Sequence, residues 1–397
     1  MIFSKLDALA SKLSALETQG LRRERRTVES VSLGHMVVDS KRLLTFNSND
    51  YLGLASHPQV VEAIKEGASL YGAGSGASHL ISGHSQAHDR LEELLATFFL
   101  SHLPSARALY FSSGYMANLG VLTALAGTAS GDISFFSDQL NHASLIDGIR
   151  LTREPFQIYN HADIADLSLK LSACQSGTKV VVTDGVFSMD GDIAPLPELL
   201  RLCEQHGAWL LVDDAHGFGV LGDTGAGVLE HFNLSSLQLI YMGTLGKAAG
   251  VSGAFVAAHE HFIEWMVQRS RPYIYTTAAV PALAHALLTS LRIIRGEEGQ
   301  RRRLHLTSLI QQLSTAPVPS FWKRLDSMTP IQPMVLGSNE QVLTASAELN
   351  QQGIWISAIR APTVPVNTAR LRITLSAAHT TQDVDQLVQA ISSTVQK

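Results

Sequence analysis

The chain has 397 residues, 45% of them hydrophobic and only 16% charged, with a formal net charge of -5 at neutral pH. That length exceeds what one core supports, roughly 250 to 300 residues, so two packed units are expected, and the apolar share excludes extended disorder. A mildly acidic balance offers no attraction to phosphate backbones or acidic lipid, which argues against nucleic acid and membrane as partners and for small molecules.

The first elements are local ones. Ile2, Phe3, Leu6, Leu9, Leu13 and Leu16 recur at helical spacing and predict an amphipathic N-terminal helix. This segment has no continuous apolar core of a signal peptide, and Asp7 and Glu17 do not suit an organellar transit peptide. No apolar run reaches membrane-spanning length, so the expected compartment is the cytoplasm. A basic knot of Arg22, Arg23, Arg25 and Arg26 follows, then two short β-like stretches, VSLGHMVVD and RLLTFNS; together these make an N-terminal lobe over 1–48.

From 49 to 285, short apolar runs alternate with helical patterns. ARALYFSS, KVVVTDG, AWLLVDDAHG, LQLIYMG and SGAFVAAH read as strands buried on both faces. Such strands belong to an α/β fold, a mostly parallel sheet with helices covering each side. The stretch 286–397 changes rhythm: a long helix, the strand-like IQPMVLG, a helix through Leu349, the strands IWISAI and RLRITL, and a closing helix. In that last helix Val384, Leu387, Val388 and Ile391 form the apolar stripe, with Thr380 or Thr381 placed to cap it. This predicts a smaller C-terminal α+β domain. The two cysteines, Cys174 and Cys203, have no metal or redox spacing and read as reduced thiols.

Open α/β sheets bind ligands beyond the carboxyl ends of their strands, so the polar residues at those ends carry the functional argument. AWLLV runs into Asp213, Asp214, Ala215 and His216; LQLIYM runs into Gly243, Thr244, Leu245, Gly246 and Lys247. A lysine in a glycine-rich turn and a strand-end aspartate match what pyridoxal phosphate requires. The amine forms an imine with the aldehyde, and the carboxylate keeps the pyridine nitrogen protonated so that the ring accepts electrons. Each residue alone has a bland reading, the Asp as a loop cap and the Lys as a solvated charge; the pair raises the odds. After ARALYF, the segment Ser112-Ser113-Gly114-Tyr115 opens an apolar helix whose free amides suit a phosphate, although an ordinary serine cap reads the same way. His142, in Asn141-His142-Ala143-Ser144, follows the short strand SFFSD and is placed to stack on a ring.

Three other motifs fail on context. GAGSG follows the helical VVEAIKEGASLY and no strand, which rules out the dinucleotide fingerprint and leaves a flexible loop. His84 and His88 stand four apart, but no HExxH glutamate lies between them and Asp89 is the one acid nearby, so no metal site is expected. GVFSMDG lacks the glycine a nucleophile elbow places two residues before its serine.

In family order and spacing, SNDYLGL, SGYMAN, NHASL, GVFSMDGD, LLVDDAHGFGVLG, TLGKAAGVSGA and AIRAPTVPVNTARLRITLSAAH resemble the α-oxoamine synthases, a family of fold-type I pyridoxal-phosphate enzymes. The resemblance runs end to end. It implies a Schiff base on Lys247, which later acts as base at the amino-acid Cα, with Asp213 on the pyridine nitrogen and His142 over the ring. His216 and Ser188 would bond around the phenolic oxygen; amides of Gly114 and Tyr115, with the Thr244 hydroxyl, would hold the phosphate. Arg360 would take the amino-acid carboxylate, and Thr363, Asn49 and Arg22 would line the substrate side. It also implies a homodimer, with Thr276 and Thr277 of one subunit reaching the phosphate of the other.

The TVP after AIRAP favours the member that condenses L-alanine with a pimeloyl thioester, carried on CoA or on acyl carrier protein (ACP), in biotin biosynthesis. A sister acyltransferase using glycine, a transaminase and a non-catalytic scaffold subunit are the rivals. His79 and Leu80 stand where relatives commonly carry glycine or arginine, Ala361 where a second proline is usual, and Val366 where a glycine is usual.

Overall fold

The computed structural model describes residues 2–128 and 131–394. The side chains of Ile2 and Phe3, assigned above to the stripe of the first helix, lie outside the described residues. The rest of that helix, Ile2–Thr18, keeps Leu6, Leu9, Leu13 and Leu16 on the surface. Two compact units divide the chain, a larger one of 49–188 and 192–305 and a smaller one of 1–48, 189–191 and 306–397. The sequence pattern put a break at 285. The larger unit instead runs on to His305, inside the helix Glu297–Thr315. An unbroken helical periodicity gives no signal for such a boundary.

The larger unit is built on a seven-stranded sheet. Its order is Ala106–Phe111, Ala254–His259, Leu239–Thr244, Trp209–Asp213, Thr178–Asp184, Ile133–Asp138 and Phe156–Tyr159. Ala254–His259 runs antiparallel to both neighbours, and the other pairings are parallel. Two strands, Ile133–Asp138 and Leu239–Thr244, are buried at every residue, as a sheet covered on both faces demands. On one face Val121, Leu122 and Leu125 of the helix Gly114–Ala126 pack with Leu109, Phe135 and Val182 of the strands. On another, Phe98, Phe99, Phe218, Tyr241 and Phe255 form an aromatic cluster, Phe99 and Tyr241 lying 4.5 Å apart between ring centres.

The parallel register decides where the chemistry falls. Asp184 stands beside Asp213, and Asp213 beside Met242, so the exits of three neighbouring strands share one edge.

The smaller unit holds two four-stranded sheets. In one, Val28–Ser32, His35–Val38 and Lys41–Thr45 are antiparallel, and Ile354–Trp355 adds in parallel to Lys41–Thr45. The other orders Lys323–Arg324, Ile331–Gly337, Ala369–Thr374 and Ser357–Ile359, all antiparallel. The predicted strand IWISAI is thus two pieces that serve different sheets. Thr380 caps the last helix, Thr381–Ser392, its hydroxyl accepting from the Asp383 amide at 3.1 Å, and Val384, Leu387 and Ile391 are buried.

Candidate active site

Asp213 closes the strand Trp209–Asp213, anchored by the fully buried Leu210, Leu211 and Val212. Its Oδ2 accepts from Asn118 Nδ2 at 2.7 Å and its Oδ1 from the Ala215 amide at 3.0 Å. Asn118, buried in the helix Gly114–Ala126, also donates to Ser144 Oγ at 2.8 Å. The neighbouring Asp184 accepts from the His142 amide at 3.2 Å. Burial, then the adjacent Asp213 charge, pushes the Asp184 carboxyl well above the ordinary range. The next acid along the chain, Asp214, is turned to other work: its Oδ2 accepts from Tyr241 Oη at 2.7 Å and the Val228 amide at 2.8 Å, and burial pushes it up to about 7.

His142 caps the helix Ala143–Thr152, its Nδ1 accepting from the Ser144 amide at 3.2 Å and standing 2.6 Å from Ser144 Oγ. Burial holds the imidazole below its ordinary pKa, against the opposing pull of Asp213. A neutral ring with Nδ1 accepting carries its proton on Nε2.

Lys247 follows the strand Leu239–Thr244 through the turn Leu245-Gly246. Its Nζ lies 3.0 Å from His216 Nε2, and His216 Nδ1 lies 2.5 Å from Tyr51 Oη. Tyr51 in turn donates to Asn49 Oδ1 at 3.3 Å. A consistent set of donors runs along this series: Lys247 gives to His216, His216 to Tyr51, and Tyr51 to Asn49.

At the start of the helix Gly114–Ala126, Ser113 Oγ accepts from the Met116 amide at 3.3 Å, while the first-turn amides of Gly114 and Tyr115 precede the helical ladder. A Cβ at Gly114 would stand 2.8 Å from Thr244 Cγ2. The Thr244 hydroxyl donates to the Ala215 carbonyl at 3.1 Å, and the Tyr115 phenol to Asp147 at 2.5 Å.

These groups line one cavity of about 230 Å³. Of the residues named from sequence, Gly114, Tyr115, His142, Asp213, His216, Thr244 and Lys247 border it, and so do Ser144, Asp184, Val186, Ala215 and Met242. Asp184 was missed although it ends KVVVTDG by the same logic that singled out Asp213. Asn118 and Tyr51 lay inside motifs quoted above and carried no local sign of their partners. Ser188, Asn49, Thr276 and Thr277 belong to the same unit but are not among the lining residues. Arg22, Arg360 and Thr363 belong to the smaller unit. There Arg22 pairs with Glu17 at 2.6 Å, Arg360 donates to the Gly20 carbonyl, and the Thr363 amide donates to the Arg360 carbonyl at 3.0 Å.

A primary amine, a strand-end carboxylate and a helix start where a side chain at position 114 would crowd Thr244 suit a flat, anionic, aldehyde-bearing ring. A parallel-rich seven-stranded sheet with this site at its carboxyl edge defines a fold-type I pyridoxal-phosphate enzyme. The chain belongs to the class I and II aminotransferase family, whose model matches residues 41–391. It is similar to the 8-amino-7-oxononanoate synthase of Janthinobacterium sp. (strain Marseille), 60% identical over 98% of each chain. Among solved structures it resembles one of SPT with PLP internal aldimine, at 28% identity and a TM-score of 0.89, covering 99% of this chain and 98% of that one. The 8-amino-7-oxononanoate synthase of Francisella tularensis is 31% identical with a TM-score of 0.72, over 88% of this chain and 97% of that one. No helix among the described residues is long and apolar enough to cross a membrane.

Proposed function

We propose that this chain joins the Cα of L-alanine to the carbonyl of a pimeloyl thioester, on CoA or ACP, releasing carbon dioxide and the thiol carrier and yielding 8-amino-7-oxononanoate for biotin biosynthesis. The observation that carries the reading is that Lys247 and Asp213 line the same cavity as the helix start at Gly114. Bound there, pyridoxal phosphate supplies an aldehyde for amines and a ring that withdraws electrons from the carbon beside them.

The chain's residues do the rest. Lys247 would hold the cofactor through Nζ, and the same amine would take the proton from alanine Cα. His216, 3.0 Å from that amine and backed by Tyr51, orients it. Asp213, held by Asn118 and the Ala215 amide, keeps a proton at the pyridine nitrogen. His142 would cover the ring and exclude water, Ser188 would bond near the phenolic oxygen, and the amides of Gly114 and Tyr115 with the Thr244 hydroxyl would bind the phosphate. The resemblance to the α-oxoamine synthases assigns Thr363, Asn49 and Arg22 to the substrate side, Arg22 to the acyl chain or its carboxylate. The same resemblance assigns Arg360, whose planar fork suits a carboxylate, to the carboxylate of alanine. The working form is a homodimer in which Thr276 and Thr277 reach the partner's phosphate.

Lys247→Ala is the test. The variant should lose the visible band of the cofactor-loaded enzyme and all turnover of alanine; retention of both refutes the assignment. Product formed from alanine and not glycine separates this reading from a glycine-using acyltransferase.

A further inference from the structure

The sequence pattern offered only His84 and His88 as neighbours. The fold adds a third imidazole. A single π-helical turn, His79–Gly83, brings His79 back onto them, so that one ring nitrogen from each of the three lies within 4.8 Å of the others. The ring centres form a nearly equilateral triangle of 5.0, 5.1 and 5.3 Å. His79 and His88 are buried and His84 is half-buried, which leaves one side open to solvent.

Each ring is oriented from outside the triangle. His84 Nε2 lies 2.8 Å from Asp89 Oδ1, and His88 Nε2 lies 2.9 Å from the Ala279 carbonyl. Both acceptors fix the proton on Nε2 and leave Nδ1 as the bare nitrogen. His79 is stacked on Tyr273, 4.5 Å between centres and 9° from parallel, and its Nδ1 lies 2.9 Å from His84 Nδ1.

We propose that His79, His84 and His88 form a binding site for a divalent first-row transition metal of the zinc, cobalt or nickel kind, with Asp89 and the Ala279 carbonyl as the outer groups that aim the ligands. Three imidazoles with a carboxylate-backed histidine match the donor chemistry these ions prefer, and the solvent side leaves a fourth position for water. Metal–nitrogen bonds of about 2.0–2.1 Å in a tetrahedron set the nitrogens about 3.3 Å apart. His79 and His84 then need to open by only a few tenths of an ångström, the proton between their Nδ1 atoms passing to His79 Nε2, while His88 swings inward. His88 Nδ1 now accepts from the Ser85 amide at 3.0 Å, capping the helix Gln86–Phe99, so metal entry exchanges that cap for a coordinate bond. None of the three histidines lines the cofactor cavity.

The experiment uses untagged, cofactor-loaded enzyme stripped with a chelator and titrated with cobalt(II) chloride. Binding of one cobalt per chain, with intense visible bands of low-coordinate cobalt that zinc chloride abolishes, supports the site. His84→Gln and His79→Gly should each weaken cobalt binding by at least about tenfold, and zinc should raise the melting temperature of the unaltered chain but not of either variant. His84→Gln is on the open side and keeps the fold even if loss of the His79 stack does not. Equal cobalt affinity in the unaltered chain and His84→Gln overturns the proposal, as does no saturable binding to the unaltered chain.

Discussion

Gly114→Ala isolates the phosphate end of the site. The added Cβ would stand 2.8 Å from Thr244 Cγ2, inside any ordinary contact, with Met242 Cε at 3.7 Å on the other flank. Two escapes exist. Thr244 can rotate, breaking its bond to the Ala215 carbonyl at a cost of about 0.5–1.5 kcal/mol, or the helix start can shift, an overpacking cost of about 1–3 kcal/mol. Alanine returns about 0.5–1 kcal/mol through its better helix propensity. Because the cheaper escape prevails, the net is at most about 1 kcal/mol, a factor of up to about 5. Either escape displaces donors assigned to the phosphate, so the loss should appear as a rise of that size in the dissociation constant of pyridoxal phosphate. Titrating the cofactor-free variant by absorbance measures it, beside a thermal melt of the same sample. A dissociation constant within about twofold of the unaltered chain would show that this contact does not shape the site.

Asn118→Ala removes the side-chain donor to Asp213, a charge-assisted bond of about 1.5–3 kcal/mol. The value of kcat/KM for alanine should fall about 10- to 100-fold while the Lys247-dependent visible band persists; unchanged kinetics would mean that Asn118 does not support Asp213. His161 bridges Asp138 at 3.0 Å and Asp192 at 2.9 Å. Burial alone would pull it down, but its hydrogen bonds to both acids prevail and push it up to about 10 from 6.5. A raised histidine stabilises fully below its unfolded value and loses that contribution as pH rises through the folded one. With the ring a quarter exposed, His161→Gln should cost about 1–3 kcal/mol below pH 6.5, and the gap in melting temperature should close by about pH 10. A gap that stays constant or widens with pH contradicts this.

The amino-acid sequence by itself determined the sheet's class and the chemistry at its edge. Uniformly apolar runs locate parallel strands buried on both faces, and in such a sheet the residues that end the runs share one edge. Asp213, Lys247 and the helix start at Gly114 were legible for that reason. Tertiary structure decided which partners those residues meet. Asp184 beside Asp213 depends on strand register, the Lys247-His216-Tyr51 series joins segments far apart in the chain, and the single π turn that carries His79 to His84 and His88 leaves no periodic trace. The division within the helix Glu297–Thr315 and the split of Ile354–Trp355 from Ser357–Ile359 have the same origin. Periodicity and turn residues report the conformation of a few neighbouring residues; pairing between distant segments is set by packing of the whole core, which no local pattern encodes.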